Sequence, residues 1–306
     1  MMNIINTSKS SITMPECVEG VILVITCAQY FQSRVLNNRY RLKGDKIEGW
    51  KIIYVMGNPS QSSDFFIRYH KQLDSNLLLV KCPDDYLNLF KKIAMAQEAV
   101  HQKYTIKKGI LKCDDDILFN KKRLRHYLSL PKPMDYAAKR YDDVVCKNTC
   151  PQFCKAYYDI SIIQYFRRNP QQLKIMRTYK PNFDPRAYSR LPKNPDGYGG
   201  AGGVYFLSKK ASEILVAYFK KCDRDTFHKD KDINAYPFLL EDVGTGFILC
   251  KSHMRFHADN NLFAHIHNEH REHAMAFHTH IQGTSLISNR RGQLILEPWI
   301  IKLISD

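Results

Sequence analysis

The sequence lacks a long hydrophobic run. The longest apolar segment extends only from Val21 to Ala28, whereas a membrane-spanning helix needs about 20 such residues. The N-terminus also lacks the basic segment and apolar core that are typical of a secretory signal. We therefore expect no transmembrane segment and a cytoplasmic protein.

Acidic residues are too few to balance the basic ones. The chain has 30 Asp and Glu against 46 Lys and Arg, which gives a net charge of +16. This excess favours an anionic partner, such as a nucleotide, a nucleic acid, a phospholipid or an acidic glycan. The alternative is that the positive charge serves solubility and a nucleotide-binding cleft. The basic pairs are dispersed and no nucleic-acid-binding module is recognisable, so a nucleic-acid partner is not favoured.

Several ligand-binding motifs are absent. No Gly-Lys-Ser/Thr follows the glycine-rich segment, so the chain has no P-loop, and no HExxH zinc motif is present. The nine cysteines form an odd count without a zinc-ribbon spacing. Since no signal peptide precedes them, we expect mostly reduced thiols.

Short apolar runs alternate with helical patterns in the first 130 residues. This alternation predicts an α/β fold with a largely parallel sheet and helices on both faces. The predicted strands are Val21–Thr26, Lys51–Met56, Asn76–Val80 and Gly109–Cys113, and the predicted helices cover residues 30–42, 62–73 and 85–103.

The second half of the chain has a less regular pattern, with many prolines and tyrosines in predicted turns. We predict helices over 120–130, 209–221 and 241–250, a strand over Val204–Leu207, and Ser208 as the N-cap of the helix that follows it. Residues 1–17 are expected to form a flexible tail. Residues 18–306 are expected to form one domain with two halves, about 18–130 and 131–306.

Three consecutive aspartates, Asp114, Asp115 and Asp116, follow the fourth predicted strand. Ligands bind at the carboxyl ends of strands in such sheets. Carboxylates that crowd together repel one another unless a cation lies among them, and oxygen ligands suit Mg²⁺ or Mn²⁺. The alternative is an acidic surface turn that caps the next helix.

Two further segments are candidates for a site. The glycine run that includes Gly200, Gly202 and Gly203 allows a ligand to approach the backbone closely, although it could equally be a flexible loop. Glu241 and Asp242 open a predicted helix, where acids favour the helix dipole. Alternatively, one of them is a general base that takes a proton from a sugar hydroxyl.

Taken together and in order, these segments resemble the β-1,3-glycosyltransferases of family 31, the group of β-1,3-galactosyltransferases and N-acetylglucosaminyltransferases with Fringe as a relative. Thr26 to Arg39 resembles the opening strand of that family and its two arginines. The other matching segments are Ile53–Gly57, Asp84–Lys92, Leu111–Asn120 with its Lys-Cys-Asp-Asp-Asp, Tyr198–Ser208 and Glu241–Gly246 with its Glu-Asp-Val-x-x-Gly.

The resemblance implies a GT-A fold, in which a Rossmann-like nucleotide-binding half with a mixed central sheet joins an acceptor-binding half. It implies an inverting transfer of galactose, glucose or N-acetylglucosamine from a UDP-sugar to a hydroxyl of a glycan or glycoconjugate. A β-1,3 linkage and a requirement for Mn²⁺ or Mg²⁺ are also implied.

The resemblance also implies roles for individual residues. Asp242 would be the general base, and Asp116 would be the main metal ligand with Asp114 beside it. A histidine downstream completes the metal site in this family, and His278 is our choice, with His280 next. The contacts to the nucleotide sugar would come from Arg34, Arg39, Asp114, Asp115, Gly200, Gly202, Gly203 and Glu241.

The chain departs from the family in two respects. The family's Arg-x-x-Trp continuation is replaced by Tyr40-Arg41-Leu42, and the membrane anchor and stem of secretory members are missing. A cytosolic, viral or microbial setting is therefore expected. The alternative function is a non-catalytic glycan- or nucleic-acid-binding protein on the same scaffold.

Overall fold

The fold is known from a computed structural model of the chain. It describes residues 15–38, 42, 44–140, 166–183, 200–232, 236–265, 272–278, 287–288, 294–295 and 298–305. Arg39, His280 and most of the expected tail lie outside these residues. No helix in the described part of the chain is long and apolar enough to cross a membrane.

An eight-stranded mixed sheet organises the molecule, in the order β3-β4-β2-β1-β5-β8-β7-β9. Strands β1, β2, β4 and β5 run parallel, whereas β3 and β8 are antiparallel to their neighbours. The predicted α/β class with a mixed sheet is confirmed, but the sheet is less parallel than the strand–helix alternation indicated. The strands are β1 (Glu16–Ile25), β2 (Trp50–Gly57), β3 (Phe65–His70), β4 (Ser75–Val80), β5 (Tyr104–Asp114), β7 (Tyr136–Arg140), β8 (Gly200–Ser208) and β9 (Phe256–Ala258).

A small second sheet lies beside the end of β5. It consists of β6 (Ile117–Phe119), β10 (Phe263–His265) and β11 (Ala276–His278) in the order β10-β11-β6. A short ribbon of β12 (Ile287–Ser288) and β13 (Leu294–Ile295) follows it in the chain.

The described residues also form helices. They are α1 (Ala28–Tyr30), which a π-helical turn continues over Phe31–Leu36, then α2 (Leu89–Lys103), α3 (Lys121–Ser129), α4 (Pro170–Tyr179), α5 (Lys209–Lys221), α6 (Glu241–Lys251) and α7 (Pro298–Ser305). A 3₁₀ turn over Pro237–Leu239 precedes α6.

The central strands are buried on both faces of the sheet. In β1, Ile22 and Val24 pack into a cluster with Leu124 and Leu128 of α3. Their neighbours Val21, Leu23 and Ile25 pack into a second cluster with α2. This explains why the first strand is continuously apolar rather than alternating.

Four boundaries or elements differ from the predictions. The helix predicted over 62–73 is wrong, because Phe65–His70 is the edge strand β3, paired along its length with β4. The first strand begins at Glu16, inside the expected tail. The helix predicted over 30–42 extends only from Ala28 to Leu36.

The helix predicted from residue 85 begins at Leu89. The Asp85 carboxylate accepts hydrogen bonds from the backbone and side-chain nitrogens of Asn88 and forms a turn there, so the helix begins after this turn.

Other predictions are confirmed. Ser208 caps α5, with its hydroxyl accepting a hydrogen bond from the backbone nitrogen of Ala211 at 3.1 Å. Helices α3, α5 and α6 and the strand that includes Val204–Leu207 lie where they were expected. The cysteines among the described residues form no disulfide with one another, and their redox state stays a prediction.

Candidate active site

The triple aspartate lies at the carboxyl end of the parallel strands. Ile25, the last residue of β1, is in register with Asp114 at the end of β5. Strand β8 runs antiparallel to β5 and pairs Val204 with Cys113. The glycines that begin β8 therefore extend beyond the end of β5, beside the aspartates, so the sheet itself brings two of the predicted segments together.

The three aspartates have different partners. Asp115 is buried and accepts hydrogen bonds from the Thr26 hydroxyl at 2.8 Å and from the Arg34 guanidinium at 3.1 Å. Asp116 lies 3.6 Å from the same guanidinium. Asp114 instead forms an ion pair with Lys112, with 2.7 Å between its Oδ1 atom and Nζ.

Arg34 joins the helical segment after β1 to the aspartates. Its guanidinium carbon lies 3.8 Å from the centre of the Tyr30 ring, one turn earlier, and its nitrogen contacts Asp115 and Asp116. Stacking on an aromatic ring and contact with two carboxylates both suit the planar arginine head group. This places the first predicted arginine at the site, while Arg39 is outside the described residues.

His278 reaches Asp116 through the small second sheet. Strand β11 pairs antiparallel with β6, and His278 is in register with Ile117. The Nε2 atom of His278 consequently lies 3.3 Å from Oδ2 of Asp116. The histidine chosen from the sequence is therefore next to the aspartate, although 162 positions separate them in the numbering of the chain.

The Asp116–His278 pair fits part of the ligand set of a divalent cation. Its carboxylate oxygen and imidazole nitrogen are donors that Mn²⁺ accepts. Among the residues that the structure describes, no group of three His, Cys, Asp or Glu side chains could hold an ion. The remaining ligands would then come from a bound substrate and water, as is usual for cations that bind diphosphates.

Glu241 and Asp242 approach the cluster from the first turn of α6. Glu241 is buried and lies 3.3 Å from the Lys112 ammonium. The half-buried Asp242 accepts a hydrogen bond from the backbone nitrogen of Val243 at 2.9 Å. A Cβ atom on Gly202 would lie 3.1 Å from Oε2 of Glu241 and 3.2 Å from Cβ of Asp242. The glycine therefore permits the close approach of β8 to both acids.

The buried charges influence one another. Burial raises the pKa of Glu241, although Lys112 opposes the shift. Burial raises the pKa of Asp114 to about 7, with Lys112 opposing the shift and Asp116 and Glu241 adding to it. Burial works to lower the pKa of Lys112, but the charges of Asp114 and Glu241 outweigh it and keep the pKa above its usual range. Lys112 is thus held as a cation among carboxylates.

The charges of these carboxylates also act on the hydroxyl of Tyr86. Desolvation of its hydroxyl, followed by the charges of Asp242, Glu241 and Asp114, raises its pKa. Its side chain is nevertheless 54% exposed.

Sequence reasoning identified the acidic residues but missed the groups that hold them. Lys112 was part of the quoted motif without a role, and Thr26, Tyr30 and Tyr86 were given none. A lysine inside an otherwise apolar strand was the available signal, because a buried charge requires a partner.

No protein-family model and no curated protein matches the sequence. Solved glycosyltransferase structures do align with the fold. Mouse xyloside xylosyltransferase 1 is 12% identical with a TM-score of 0.41, covering 89% of this chain and 100% of that chain. A glycosyltransferase involved in glycosylation of the major capsid of PBCV-1 is 13% identical with a TM-score of 0.43, covering 87% and 94%. The galactosyltransferase LgtC, solved with donor and acceptor sugar analogues, is 9% identical with a TM-score of 0.42, covering 93% and 95%.

Proposed function

We propose that this chain is a GT-A-type glycosyltransferase that moves a hexose from a UDP-sugar to a hydroxyl of a glycan or glycoconjugate. The observation that carries the proposal is the convergence of three distant segments at one end of the sheet. Asp114 lies at the end of β5, Gly202 begins β8 beside it, and Glu241 begins α6, with Lys112 in contact with all three. These segments are among those that carry the resemblance to family 31.

Because the three aspartates have different partners, we assign different roles to the residues around them. Asp115, Asp116 and Arg34 form the side that binds the nucleotide, and Gly200, Gly202 and Gly203 border the sugar. Asp116 and His278 would hold Mn²⁺ or Mg²⁺, with Asp114 and His280 as further candidates. The cation would neutralise the developing charge on the diphosphate.

Asp242 is the proposed general base. The acceptor hydroxyl attacks the anomeric carbon as the bond from that carbon to the UDP oxygen breaks, and the hydroxyl proton passes to the Asp242 carboxylate. Attack from the side opposite UDP inverts the anomeric centre. A β-1,3 linkage follows from the family resemblance.

The first experiment is a donor screen. The protein is incubated with UDP-galactose, UDP-glucose and UDP-N-acetylglucosamine in Mn²⁺, with and without EDTA, and UDP release is measured. We expect release from one donor, and loss of release with EDTA. If no donor is bound or turned over, the proposal is wrong and a binding protein is favoured. In that case, salt-dependent binding to DNA would distinguish a nucleic-acid ligand from a glycan.

A further inference from the structure

We infer that Lys112 is a positioning residue, which holds Asp114 and the first turn of α6 so that Asp242 faces the reacting hydroxyl. This inference rests on the proposed function. It assigns a role to a residue whose side chain is fully buried and cannot reach substrate.

The contacts of Lys112 use all of its hydrogen-bonding capacity. Its ammonium group donates to Oδ1 of Asp114 at 2.7 Å, to Oε2 of Glu241 at 3.3 Å and to the carbonyl oxygen of Gly202. An ammonium has three donors and no acceptor. No donor is left for a phosphate or a sugar, so Lys112 acts through its neighbours.

Glu241 is also held from its other side. The Tyr205 hydroxyl donates to Oε1 of Glu241 at 2.5 Å, and the Lys112 ammonium lies 5.4 Å from the centre of the Tyr205 ring. Both oxygens of Glu241 are therefore fixed by residues of the central sheet. Since Asp242 is the next residue in the chain, the backbone from which it projects is fixed as well.

The nucleotide side of the site is held independently. Thr26 and Arg34 bind Asp115, and Arg34 and His278 contact Asp116. The ion pairs of Lys112 are instead with Asp114 and Glu241. Loss of Lys112 should therefore affect the orientation of the base more than the binding of the UDP-sugar.

The test compares Lys112→Met with Lys251→Met. Lys251 is the control, because it lies at the other end of α6 and also pairs with two carboxylates, those of Asp230 and Asp232. Hydrogen–deuterium exchange is measured by mass spectrometry over the whole chain. We expect faster exchange in 200–208 and 241–247 for Lys112→Met and unchanged exchange there for Lys251→Met. Acceleration spread over all segments would mean that Lys112 is merely structural.

Kinetics provide the second readout. With pooled simple glycosides as acceptors, Lys112→Met should lower kcat for transfer by roughly 10- to 100-fold while KM for the UDP-sugar stays within about threefold. Unchanged kcat in a folded variant would overturn the inference.

A more conservative variant tests the same role of Lys112 if Lys112→Met does not fold. Tyr205→Phe removes only the hydrogen bond to Glu241, and we expect faster exchange in 241–247 with a smaller fall in kcat. No effect on either quantity would overturn the inference. If the wild-type protein turns over no donor, the proposed function fails, and the exchange data alone decide whether Lys112 holds the two segments.

Discussion

At the scale of single residues, the three consecutive aspartates have different surroundings in the folded chain. Asp114, Asp115 and Asp116 are adjacent in the chain, yet each has a different partner: Lys112, Thr26 and His278 respectively. Asp115 and Asp116 share a contact with Arg34, whereas Asp114 pairs with Lys112, so the three aspartates do not have one common environment. Their partners come from strands and helices that only the folded sheet brings together.

Arg34 provides a test of the nucleotide side. In Arg34→Lys, a single ammonium replaces the planar group that contacts both Asp115 and Asp116 and stacks on Tyr30. We expect the affinity for UDP in the presence of Mn²⁺ to fall roughly tenfold, since lysine cannot make both contacts and the stacking interaction. Calorimetric titration measures this affinity. The exposed Arg68 is the control, and equal affinities for Arg34→Lys and Arg68→Lys would contradict the assignment.

Lys132 gives a prediction about pH that is independent of the active site. Burial against the Tyr127 ring, together with the charge of Lys108, lowers its pKa to about 8. The unfolded chain, with a lysine pKa of about 10.4, therefore binds more protons between these two values. The free energy of unfolding should rise with pH through this window as the folded protein loses its penalty for the charged amine.

Urea unfolding at pH 7 and pH 10 checks this prediction. Lys132→Met removes the titrating group, so its stability relative to wild type should be greater at pH 7 than at pH 10. A difference that does not change with pH would show that burial does not affect Lys132.

At the scale of elements, hydrophobic periodicity predicted the strands that are buried on both faces of the sheet but not the strand at the edge of the sheet. The inner parts of β1 and β5, Val21–Ile25 and Ile110–Leu111, are apolar because both faces of the sheet are covered there. The segment Phe65–His70 has no such run, and its side chains alternate irregularly between exposed and half-buried. Its strand conformation comes from pairing with β4, which is a tertiary effect that local propensity does not contain.

A buried ion pair between Asp84 and Lys92 links the ends of β1 and β2. Asp84 lies 2.5 Å from the Lys92 ammonium and accepts hydrogen bonds from the backbone nitrogens of Gly57 and Ala28. Lys92 also donates to the carbonyl oxygen of Thr26. This pair connects α2 to the strand ends that support Thr26 and hence Asp115.

Removal of Lys92 should therefore be costly. In Lys92→Met, Asp84 keeps its charge in a protein environment without its cation, and we expect a loss of about 3–5 kcal/mol in the free energy of unfolding. The adjacent and more exposed Lys91 is the control, with an expected loss under about 0.5 kcal/mol in Lys91→Met. Urea unfolding measures both, and equal losses would refute the role of the pair. The double variant Asp84→Asn/Lys92→Met should recover part of the stability.

At the scale of the whole molecule, the sequence predicted the α/β class, which is confirmed, and a site at a strand end, which stays a prediction. Both follow from local signals, namely apolar strand runs and acids at a strand end. The order of the strands was not predictable, because β8 and β7 enter the sheet after β5 through pairing between residues about 90 positions apart, such as Cys113 and Val204. That insertion is what brings the glycine run and Lys112 into contact.

The position of His278 has the same origin. A strand of three residues, Ala276–His278, is too short to recognise from its pattern, and only its pairing with Ile117–Phe119 brings the histidine to Asp116. The choice of His278 over its neighbours depended on the family resemblance rather than on spacing. Contacts that sequence reasoning missed, such as Thr26 with Asp115 and Lys112 with Glu241, likewise join distant parts of the chain.

The measurement that tests the central claim most directly is UDP release by wild type and Asp116→Ala, side by side, with the donor that the screen identifies and saturating Mn²⁺. Asp242→Asn, assayed with an acceptor, is run in parallel. If one metal-dependent site performs sugar transfer, Asp116→Ala should lose at least about 100-fold in turnover while remaining folded. Full turnover by Asp116→Ala would contradict the account, because the activity would then arise elsewhere than at the end of β5.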